Sequence, residues 1–412
     1  MTSILIIGYV WPEPDSSAAG SRMMQLIRLF LDQGWSVTFA SAAVASSHMA
    51  DIEALGVNKA CIELNSRSFD EFVGQLDPDM VVFDRYMIEE QFGWRVAQQC
   101  PRALRVLDTE DLHCLRGARH EALKAGREVG AQELNSELAM REVAAILRCD
   151  LSLVISDFEI GLLCGHYGVS AKLLWHLPFM LPQVSGAGFI PYQERQGYIS
   201  IGNFRHAPNW DAELYLKNTL WPLIRKRQAD ARLDVYGAYP PAKAMRLHNV
   251  DQGFHVRGWA GDAHRVMARA RVCLAPLRFG AGLKGKLVDA MCCGTPNITT
   301  RIGAEAMHAA LPWSGIVTDD PKTFARSAVA LYRSESQWRQ AQENGVRIIN
   351  TLYDGSRLGA QLLSRIAGLR ENLASHRLNN FTGAMLQHHT LQSTRYMAQW
   401  IEAKNRRNGE GA

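Results

Sequence analysis

One short pattern repeats along most of the chain: an apolar run, a polar loop and a helical segment. Residues 3–8 are apolar on both faces, as in a strand buried in a parallel sheet. Apolar residues then recur at helical spacing from Met23 to Leu31, Gly34 ends that helix, and a second strand follows at 35–40. Strands joined through a helix in this way lie parallel, with a right-handed crossover. The sequence therefore predicts an α/β fold.

The pattern is interrupted once, by a stretch rich in Pro and Gly at residues 177–191, and then restarts. Such a stretch between two series of strands is typical of a linker between domains. A chain of 412 residues is also longer than one ordinary core needs. We predict an N-terminal Rossmann-like domain over 1–185, a C-terminal Rossmann-like domain over 186–374, and a helical tail over 375–412.

The composition limits the class of partner. The formal net charge of +4 suits an anionic small molecule or an acidic lipid, and is too small to predict binding to nucleic acid. None of the eight cysteines forms a CxxC pair, so neither a zinc site nor a disulfide framework is predicted. The first apolar run has no basic segment before it, and no run reaches the ~18–20 residues of a spanning helix. We therefore expect a cytoplasmic protein.

The most informative segment joins a strand at 272–275 to a helix that begins between 283 and 286. Glycines in such a loop let backbone N–H groups approach a phosphate, and the helix start adds about half a positive charge. Lys284 and Lys286 supply further positive charge for a diphosphate. Asp289 follows three residues later, where it would accept hydrogen bonds from sugar or ribose hydroxyls. The glycines of the loop are Gly280, Gly282 and Gly285.

This segment resembles the C-terminal signature of the retaining glycosyltransferases of the family 4 type (glycosyl transferases group 1). Those enzymes have the GT-B fold, in which two Rossmann-like domains face each other across a cleft. The resembling run is Asp289-Ala-Met-Cys-Cys-Gly-Thr-Pro296, with Asp in place of the usual Glu. A subgroup of the family also shares the segments 202–212 and 276–286. Two features depart from the family: Ala281 replaces the first acid of its usual pair, and only Arg205 could substitute for its usual Arg and Lys.

The resemblance implies that the C-terminal domain binds a nucleotide-diphospho-sugar donor. Gly20 would let the N-terminal loop approach the diphosphate, Lys284 and Lys286 would bind it, and Asp289 would hold the ribose. Glu305 would meet a donor or acceptor hydroxyl, unless it is simply an acid at a helix start. The other residues predicted at the donor site are Arg205, Gly280 and Gly282.

The acceptor side is predicted in the N-terminal half, directly after a strand at 104–107. Relatives often place a catalytic His or Asp there, so the resemblance makes Asp108 and His113 catalytic candidates beside Lys284 and Lys286. The alternative is a capped helix start with acids in its first turn, which explains the neighbouring acids but not His113. A second acidic segment, Ser156-Asp-Phe-Glu159, has the spacing of a capping box and is predicted to be structural.

The tail from about residue 375 is polar, with scattered apolar residues and a basic end. Such a pattern fits helices that pack on the N-terminal domain, or an amphipathic contact with a partner or a membrane surface. We favour packing, because most amphipathic stripes in soluble chains face a core. Peripheral contact with the inner face of the membrane stays open as an alternative.

The resemblance implies a metal-independent transferase that moves a sugar from a nucleotide-diphospho-sugar to a glycan, lipid-linked or protein acceptor. The resemblance implies retention of the anomeric configuration and a role in cell-surface polysaccharide or glycoconjugate biosynthesis. We expect no cofactor besides the donor and no metal, since no convincing DxD motif is present. The alternatives are a GT-B sugar-nucleotide epimerase and a non-catalytic GT-B scaffold or binding protein. A dehydrogenase is excluded, because no GxGxxG follows the first strand.

Overall fold

The computed structural model describes residues 2–409, without the side chains of residues 389–392 and 405–409. Its N-terminal half contains a seven-stranded sheet in which all neighbouring strands are parallel, in the order β3-β2-β1-β4-β5-β6-β7. The strands are β1 (Ser3–Gly8), β2 (Ser36–Ser41), β3 (Asn58–Cys61), β4 (Met80–Asp84), β5 (Leu104–Asp108), β6 (Leu151–Val154) and β7 (Leu174–His176). The helices between them are α1 (Ala18–Asp32), α2 (Ser68–Leu76), α3 (Tyr86–Gln99), α4 (His113–Lys124), α5 (Ala131–Leu134), α6 (Glu137–Arg148) and α7 (Asp157–Gly165).

The C-terminal half contains a second parallel sheet of six strands, in the order β10-β9-β8-β11-β12-β13. The strands are β8 (Tyr198–Ile201), β9 (Leu233–Tyr236), β10 (Phe254–Gly258), β11 (Val272–Ala275), β12 (Asn297–Thr299) and β13 (Gly315–Val317). The helices that follow β8 are α8 (Ala207–Tyr215), α9 (Trp221–Arg227), α10 (Ala242–Met245), α11 (Ala263–Arg269), α12 (Gly285–Cys292), α13 (Arg301–Ala304), α14 (Pro321–Arg333), α15 (Glu335–Leu352), α16 (Gly355–Glu371), α17 (Leu373–Leu378) and α18 (Phe381–Gly409).

The predicted α/β fold with two parallel sheets is confirmed, and two local expectations need correction. The sequence predicts one long polar helix over about 115–147, and the structure divides this stretch into α4, α5 and α6. Gly126 takes a left-handed φ of 66° just after α4 and so ends that helix. The strands β3 and β7 were not predicted. Both are short, and β3 (Asn-Lys-Ala-Cys) lacks the apolar run by which buried strands are recognised.

Each sheet has one point where the strand order reverses. In the N-terminal sheet the chain moves from β1 to β2 on one side and returns to β4 on the other; in the C-terminal sheet β8 and β11 flank the equivalent point. Ligands of such sheets bind in the crevice beyond the carboxyl ends of these strands. The loops after β1, β4, β8 and β11 therefore border this crevice.

The chain connects the halves twice, and the two crossings lie side by side. The backbone N–H of Leu181 donates to the Tyr353 carbonyl at 2.8 Å, and the N–H of Gly355 donates to the Leu181 carbonyl at 2.8 Å. After the second crossing, α16 packs in the core of the N-terminal sheet through Leu358 and Leu362. Residues 355–371 fall within the range predicted for the C-terminal domain, yet they contribute to the N-terminal core. No helix of the described residues is long and apolar enough to span a membrane.

Candidate functional site

A loop between β11 and α12, which we call the lysine loop (residues 276–286), crosses from the C-terminal sheet to the N-terminal domain. Ala281 at its tip is buried in the N-terminal hydrophobic core. The N–H of Gly282 donates to the Glu159 carboxylate at 2.9 Å, and the Gly280 carbonyl accepts from Arg119 at 2.8 Å. The loop therefore joins the two halves and closes the crevice between them.

Gly282 has to be a glycine for two reasons. Its φ is +60°, a conformation that L side chains rarely adopt. A Cβ added there would also lie 2.7 Å from the Cβ of Asp111 in the N-terminal domain. Gly20 meets a similar limit, since its Cβ would lie 2.4 Å from the Glu13 backbone within the loop before α1. Both glycines thus allow close backbone packing at the cleft.

The two lysines of the loop have different surroundings. Lys284 lies at the start of α12, and its Nζ donates to the carbonyls of Ala281 at 3.1 Å and Gly282 at 2.5 Å. The Nζ of Lys286 is buried and has no hydrogen-bond partner among the described residues. Burial lowers the pKa of Lys284 to about 8 and also lowers the pKa of Lys286, although Glu213 opposes the shift at Lys286. An unpaired, buried ammonium group at a helix start is a binding position for an anion.

Opposite the lysine loop, four acids lie at the carboxyl ends of β4 and β5. We call Asp84, Asp108, Glu110 and Asp111 the acid cluster. Two residues at these strand ends have left-handed backbones, Arg85 with φ +74° and Glu110 with φ +62°. Such conformations cost on the order of 1–3 kcal/mol in non-glycine residues and concentrate at functional sites.

Glu110 is the most perturbed member of the acid cluster. Its Oε1 is buried and has no hydrogen-bond partner in the described structure. Burial raises its pKa to about 8, against the opposing charge of Arg85. Glu110 is therefore protonated at neutral pH in this arrangement, and can donate a hydrogen bond. Sequence reasoning explained this residue as an acid in a helix first turn, and could not anticipate the buried, left-handed position.

Asp108, one of the predicted catalytic residues, is completely buried and paired with Arg22 of α1. Arg22 Nη2 lies 2.8 Å from Asp108 Oδ1 and its Nε lies 3.0 Å from the same atom, while Nη1 donates to the Leu177 carbonyl at 2.6 Å. This ion pair ties β5 to α1 and to the first crossing between the halves. Asp108 thus lies next to the cleft, with its carboxylate already paired with Arg22.

His113, the other N-terminal candidate, begins α4 at the cleft. Its Nε2 lies 3.7 Å from Asp111 Oδ1, and Arg116 forms an ion pair with the other oxygen of the same carboxylate. Burial lowers the pKa of His113 to about 4, although Asp111 opposes the shift, so the ring is neutral at pH 7. His206, which follows β8 in the other half, has its pKa lowered to about 4 by burial in the same way. The site thus contains two neutral imidazoles, from opposite domains, near one carboxylate.

Two acids that the sequence analysis did not place at the site hold this region together. Glu142 of α6 accepts from the backbone N–H groups of His113 at 3.0 Å and Cys114 at 2.8 Å, and so caps α4. Glu159 was predicted to complete a capping box with Ser156. The Ser156 hydroxyl does accept from the Glu159 N–H at 3.4 Å, but the Glu159 side chain accepts from Leu112 and from Gly282 across the cleft. The box is therefore only half formed.

Glu305 also contacts the opposite half. Its two carboxylate oxygens accept from Arg119 of α4 at 2.8 and 2.7 Å, in a bidentate pair between the domains. Because Arg119 also binds the Gly280 carbonyl, one N-terminal guanidinium holds both the lysine loop and the segment after α13. Next to this pair, the rings of His120 and Phe279 stack at 4.3 Å between centroids.

The remaining predicted residues lie at the other end of the cleft. The Arg205 guanidinium lies 3.6 Å above the ring centre of Tyr239, whose hydroxyl donates to Glu13 of the N-terminal half at 2.9 Å. Asp289 of α12 lies 3.3 Å from His264 and is half exposed. Trp259 of the C-terminal half contacts the N-terminal half, with its ring 4.6 Å from His48 and its Nε1 donating to the Asp15 carbonyl at 3.2 Å. The structure thus brings both domains together around the predicted residues.

Comparisons with known proteins agree with this architecture. Residues 195–334 match the family model described as glycosyl transferases group 1. A comparison with curated proteins finds no match. No group of three or more His, Cys, Asp or Glu side chains within the described residues is arranged to hold a metal ion.

Solved structures resemble nearly the whole chain. Sucrose-phosphate synthase from Thermosynechococcus elongatus has a TM-score of 0.64 and 15% identity, over 90% of this chain and 99% of that one. HepE from Anabaena, solved with UDP and glucose, has a TM-score of 0.66 and 13% identity, over 90% and 100%. A mutant of TarM from S. aureus, solved with UDP, has a TM-score of 0.68 and 7% identity, over 90% and 100%. The chain therefore has the GT-B fold.

Proposed function

We propose that this protein is a glycosyltransferase that binds a nucleotide-diphospho-sugar between its two domains and transfers the sugar to an acceptor. The buried, unpaired Nζ of Lys286 at the start of α12 carries this proposal. Support comes from the match of the surrounding domain to a glycosyltransferase family model and from the GT-B fold. Structures similar to this chain have been solved with UDP-glucose, and with UDP together with fondaparinux and alpha-GlcNAc-glycerol.

In this proposal the diphosphate lies against the lysine loop. Lys286 binds one phosphate oxygen. Lys284 gives up its hydrogen bonds to the carbonyls of Ala281 and Gly282 and binds a second phosphate oxygen. The start of α12 adds its partial positive charge to both. Together these groups stabilise the negative charge that develops on the leaving nucleotide, and no metal is required for that step. Asp289, half exposed on the same helix, binds the ribose.

The acceptor then approaches from the acid cluster. Glu110, with an unpaired Oε1, and His113, held neutral beside Asp111, offer a hydrogen-bond donor and an acceptor to sugar hydroxyls. Asp108 acts through Arg22, and positions β5 instead of contacting the substrate. We also propose retention of the anomeric configuration, on the resemblance to the family 4 type. The anomeric coupling constant of the product in ¹H NMR tests it.

Nucleotide binding is the first test. Thermal shifts of the purified protein are measured with UDP, GDP, ADP, CMP and dTDP at millimolar concentration. We expect one diphosphate to raise the midpoint in the wild type and in Lys322→Ala, an exposed lysine of α14, but not in Lys286→Ala. Absence of a shift with every nucleotide would overturn the proposal.

One alternative keeps the same donor. The buried acids and neutral histidines of the cleft are groups that a sugar-nucleotide epimerase also needs. Incubation of the bound nucleotide sugar in D₂O separates the two, because an epimerase that deprotonates a sugar carbon incorporates deuterium and a transferase does not. Binding of the donor without turnover with any acceptor would instead indicate a non-catalytic binding protein.

A further inference from the structure

The long C-terminal helix α18 contacts the N-terminal domain through small and polar residues. Gly383 and Ala398 are buried on the side that faces the domain. Near the start of the helix, the side chains of Asn380 and Gln387 donate to the carbonyls of Leu147 and Arg148 at 2.8 Å each. The attachment of α18 therefore depends on close backbone approach and hydrogen bonds.

Four large apolar residues of α18 lie on the opposite side. Phe381, Met385, Tyr396 and Trp400 are 79%, 46%, 67% and 60% exposed, and Met397, at 59%, is exposed beside them. At 100° per residue these four positions fall within about 100° of arc, so they form one stripe. We call it the outward face. Amphipathic helices of globular proteins normally turn such residues to the core, and an exposed stripe of this kind marks an interaction surface.

The charge of α18 indicates what covers the outward face. The helix sequence contains four Lys or Arg (Arg395, Lys404, Arg406, Arg407) and one acid, Glu402, a net charge of +3. The whole chain has a net charge of only +4, so most of the excess is concentrated in this helix. The Lys404 ammonium lies 5.3 Å from the Trp400 ring centre, beside the stripe. A second copy of the helix would bring like charges together, whereas an anionic surface complements them.

We propose that the outward face of α18 binds the surface of an anionic phospholipid bilayer. Phe, Met, Tyr and Trp are suited to the boundary between headgroups and acyl chains, where the ring edges of Tyr and Trp stay hydrated. Flanking Lys and Arg side chains add attraction to acidic headgroups. The helix lies in the plane of the interface, and its small-residue side keeps the N-terminal domain attached. This inference is independent of the proposed catalytic function.

Flotation of the full chain with vesicles tests the proposal. Vesicles of phosphatidylcholine alone are compared with vesicles that contain 30% phosphatidylglycerol, at about 0.1 M and 0.5 M salt. We expect binding to the anionic vesicles at the lower salt concentration, and a loss of at least about tenfold with neutral lipid or at the higher one. The triple variant Phe381→Ser/Tyr396→Ser/Trp400→Ser and the charge variant Arg395→Glu/Lys404→Glu are each expected to lose binding to a similar extent.

The matched control is Val44→Ser/Val250→Ser, which removes two exposed apolar residues elsewhere and is expected to float like the wild type. Circular dichroism melting checks that each variant folds. The proposal is overturned if the wild type does not float with anionic vesicles, or if the triple variant floats equally well. It is also overturned if light scattering shows a wild-type dimer that the triple variant converts to monomer while vesicle binding is absent, because a second copy then covers the face.

Discussion

The two walls of the cleft are built in different ways. The part of the C-terminal wall that holds Lys284 and Lys286 is one continuous segment, the lysine loop and α12, and its left-handed backbone positions at 280 and 282 are glycines. The N-terminal wall collects residues far apart in sequence, and holds Arg85 and Glu110 in left-handed conformations without glycine. The C-terminal wall leaves a cation unpaired, while the N-terminal wall buries paired and unpaired carboxylates.

This difference suggests a division of labour. A phosphate needs positive charge and backbone N–H groups, which a helix start supplies within a few residues. Recognition of hydroxyl groups needs individually placed hydrogen-bond donors and acceptors, which come from several strand ends. Some residues at these strand ends have strained backbones, and the rest of the fold compensates for that cost. We therefore expect substitutions in the N-terminal wall to change stability more than ligand binding, and substitutions in the C-terminal wall to change ligand binding more than stability.

The largest effect is expected at the Arg22–Asp108 pair. Arg22→Met leaves the Asp108 carboxylate buried without its partner, and such changes cost about 3–5 kcal/mol of unfolding free energy. Urea denaturation followed by circular dichroism measures the loss. The double variant Arg22→Met/Asp108→Asn should recover more than half of it. As a control, Arg339→Ala removes a surface ion pair with Glu335 and should cost less than about 1 kcal/mol. Equal losses at the two sites would contradict the structural role of the pair.

Lys286→Met is the opposite experiment on the C-terminal wall. It replaces a buried ammonium without hydrogen-bond partners by an apolar chain of similar length. The buried Glu213 loses a nearby positive charge but keeps its hydrogen bond to Ser200, so the free protein should lose less stability than Arg22→Met does. Nucleotide affinity should fall by about 2–3 kcal/mol, since a charged partner of the phosphate is lost. Calorimetric titration with the diphosphate found in the thermal screen measures the affinity, with Lys322→Met as the control. A variant that loses stability but keeps its affinity would reverse the comparison of the two walls.

Glu110→Gln tests the N-terminal wall through the pH dependence of the free energy of unfolding. The pKa of Glu110 is about 8 in the folded protein and near 4.5 when unfolded, so the folded state holds a proton that the unfolded state has released between these values. The contribution of Glu110 to the free energy of unfolding therefore falls as pH rises from 4.5 to 8. Glutamine mimics the protonated acid but does not titrate, so the variant does not lose this stability as the pH rises. The stability of the variant relative to wild type should therefore rise by more than about 1 kcal/mol between pH 5 and pH 8.5.

Urea midpoints at the two pH values measure this difference. His113 and His206 change stability in the opposite direction between pH 4 and 6.5, because burial lowers their pKa, but they are present in both proteins and cancel. Glu343→Gln, which makes the same substitution at an exposed position, is the control. A constant difference for Glu110→Gln would mean that Glu110 is ionised in the folded protein.

The same contrast explains what could be predicted from the sequence. The lysine loop, its helix start and the parallel sheets follow from local patterns, and each appears in the structure at the predicted place. The partners of Asp108, Glu159 and Glu305 are 86, 123 and 186 residues away in sequence, and no local pattern encodes such pairs. Left-handed residues such as Glu110 are equally hidden, because only the packed strand ends impose that backbone.

The smallest effect is expected where the two walls meet, at Arg119 and Glu305. Their side chains are 10% and 19% exposed, between the surface and buried classes of ion pair, so a double-mutant cycle should give a coupling of about 1 kcal/mol. The cycle uses Arg119→Ala, Glu305→Ala and the double variant, with urea midpoints as the measurement.

Ligand binding separates the roles of Arg119 and Glu305 further. Arg119→Ala also releases the Gly280 carbonyl of the lysine loop. If Glu305 serves only to close the cleft, Glu305→Ala therefore weakens nucleotide-sugar binding no more than Arg119→Ala does. If Glu305 also contacts the sugar, Glu305→Ala weakens nucleotide-sugar binding more than Arg119→Ala, and weakens binding of the free diphosphate no more than Arg119→Ala. The second result would assign the sugar contact that Ala281 cannot make to a residue that this structure shows paired across the cleft.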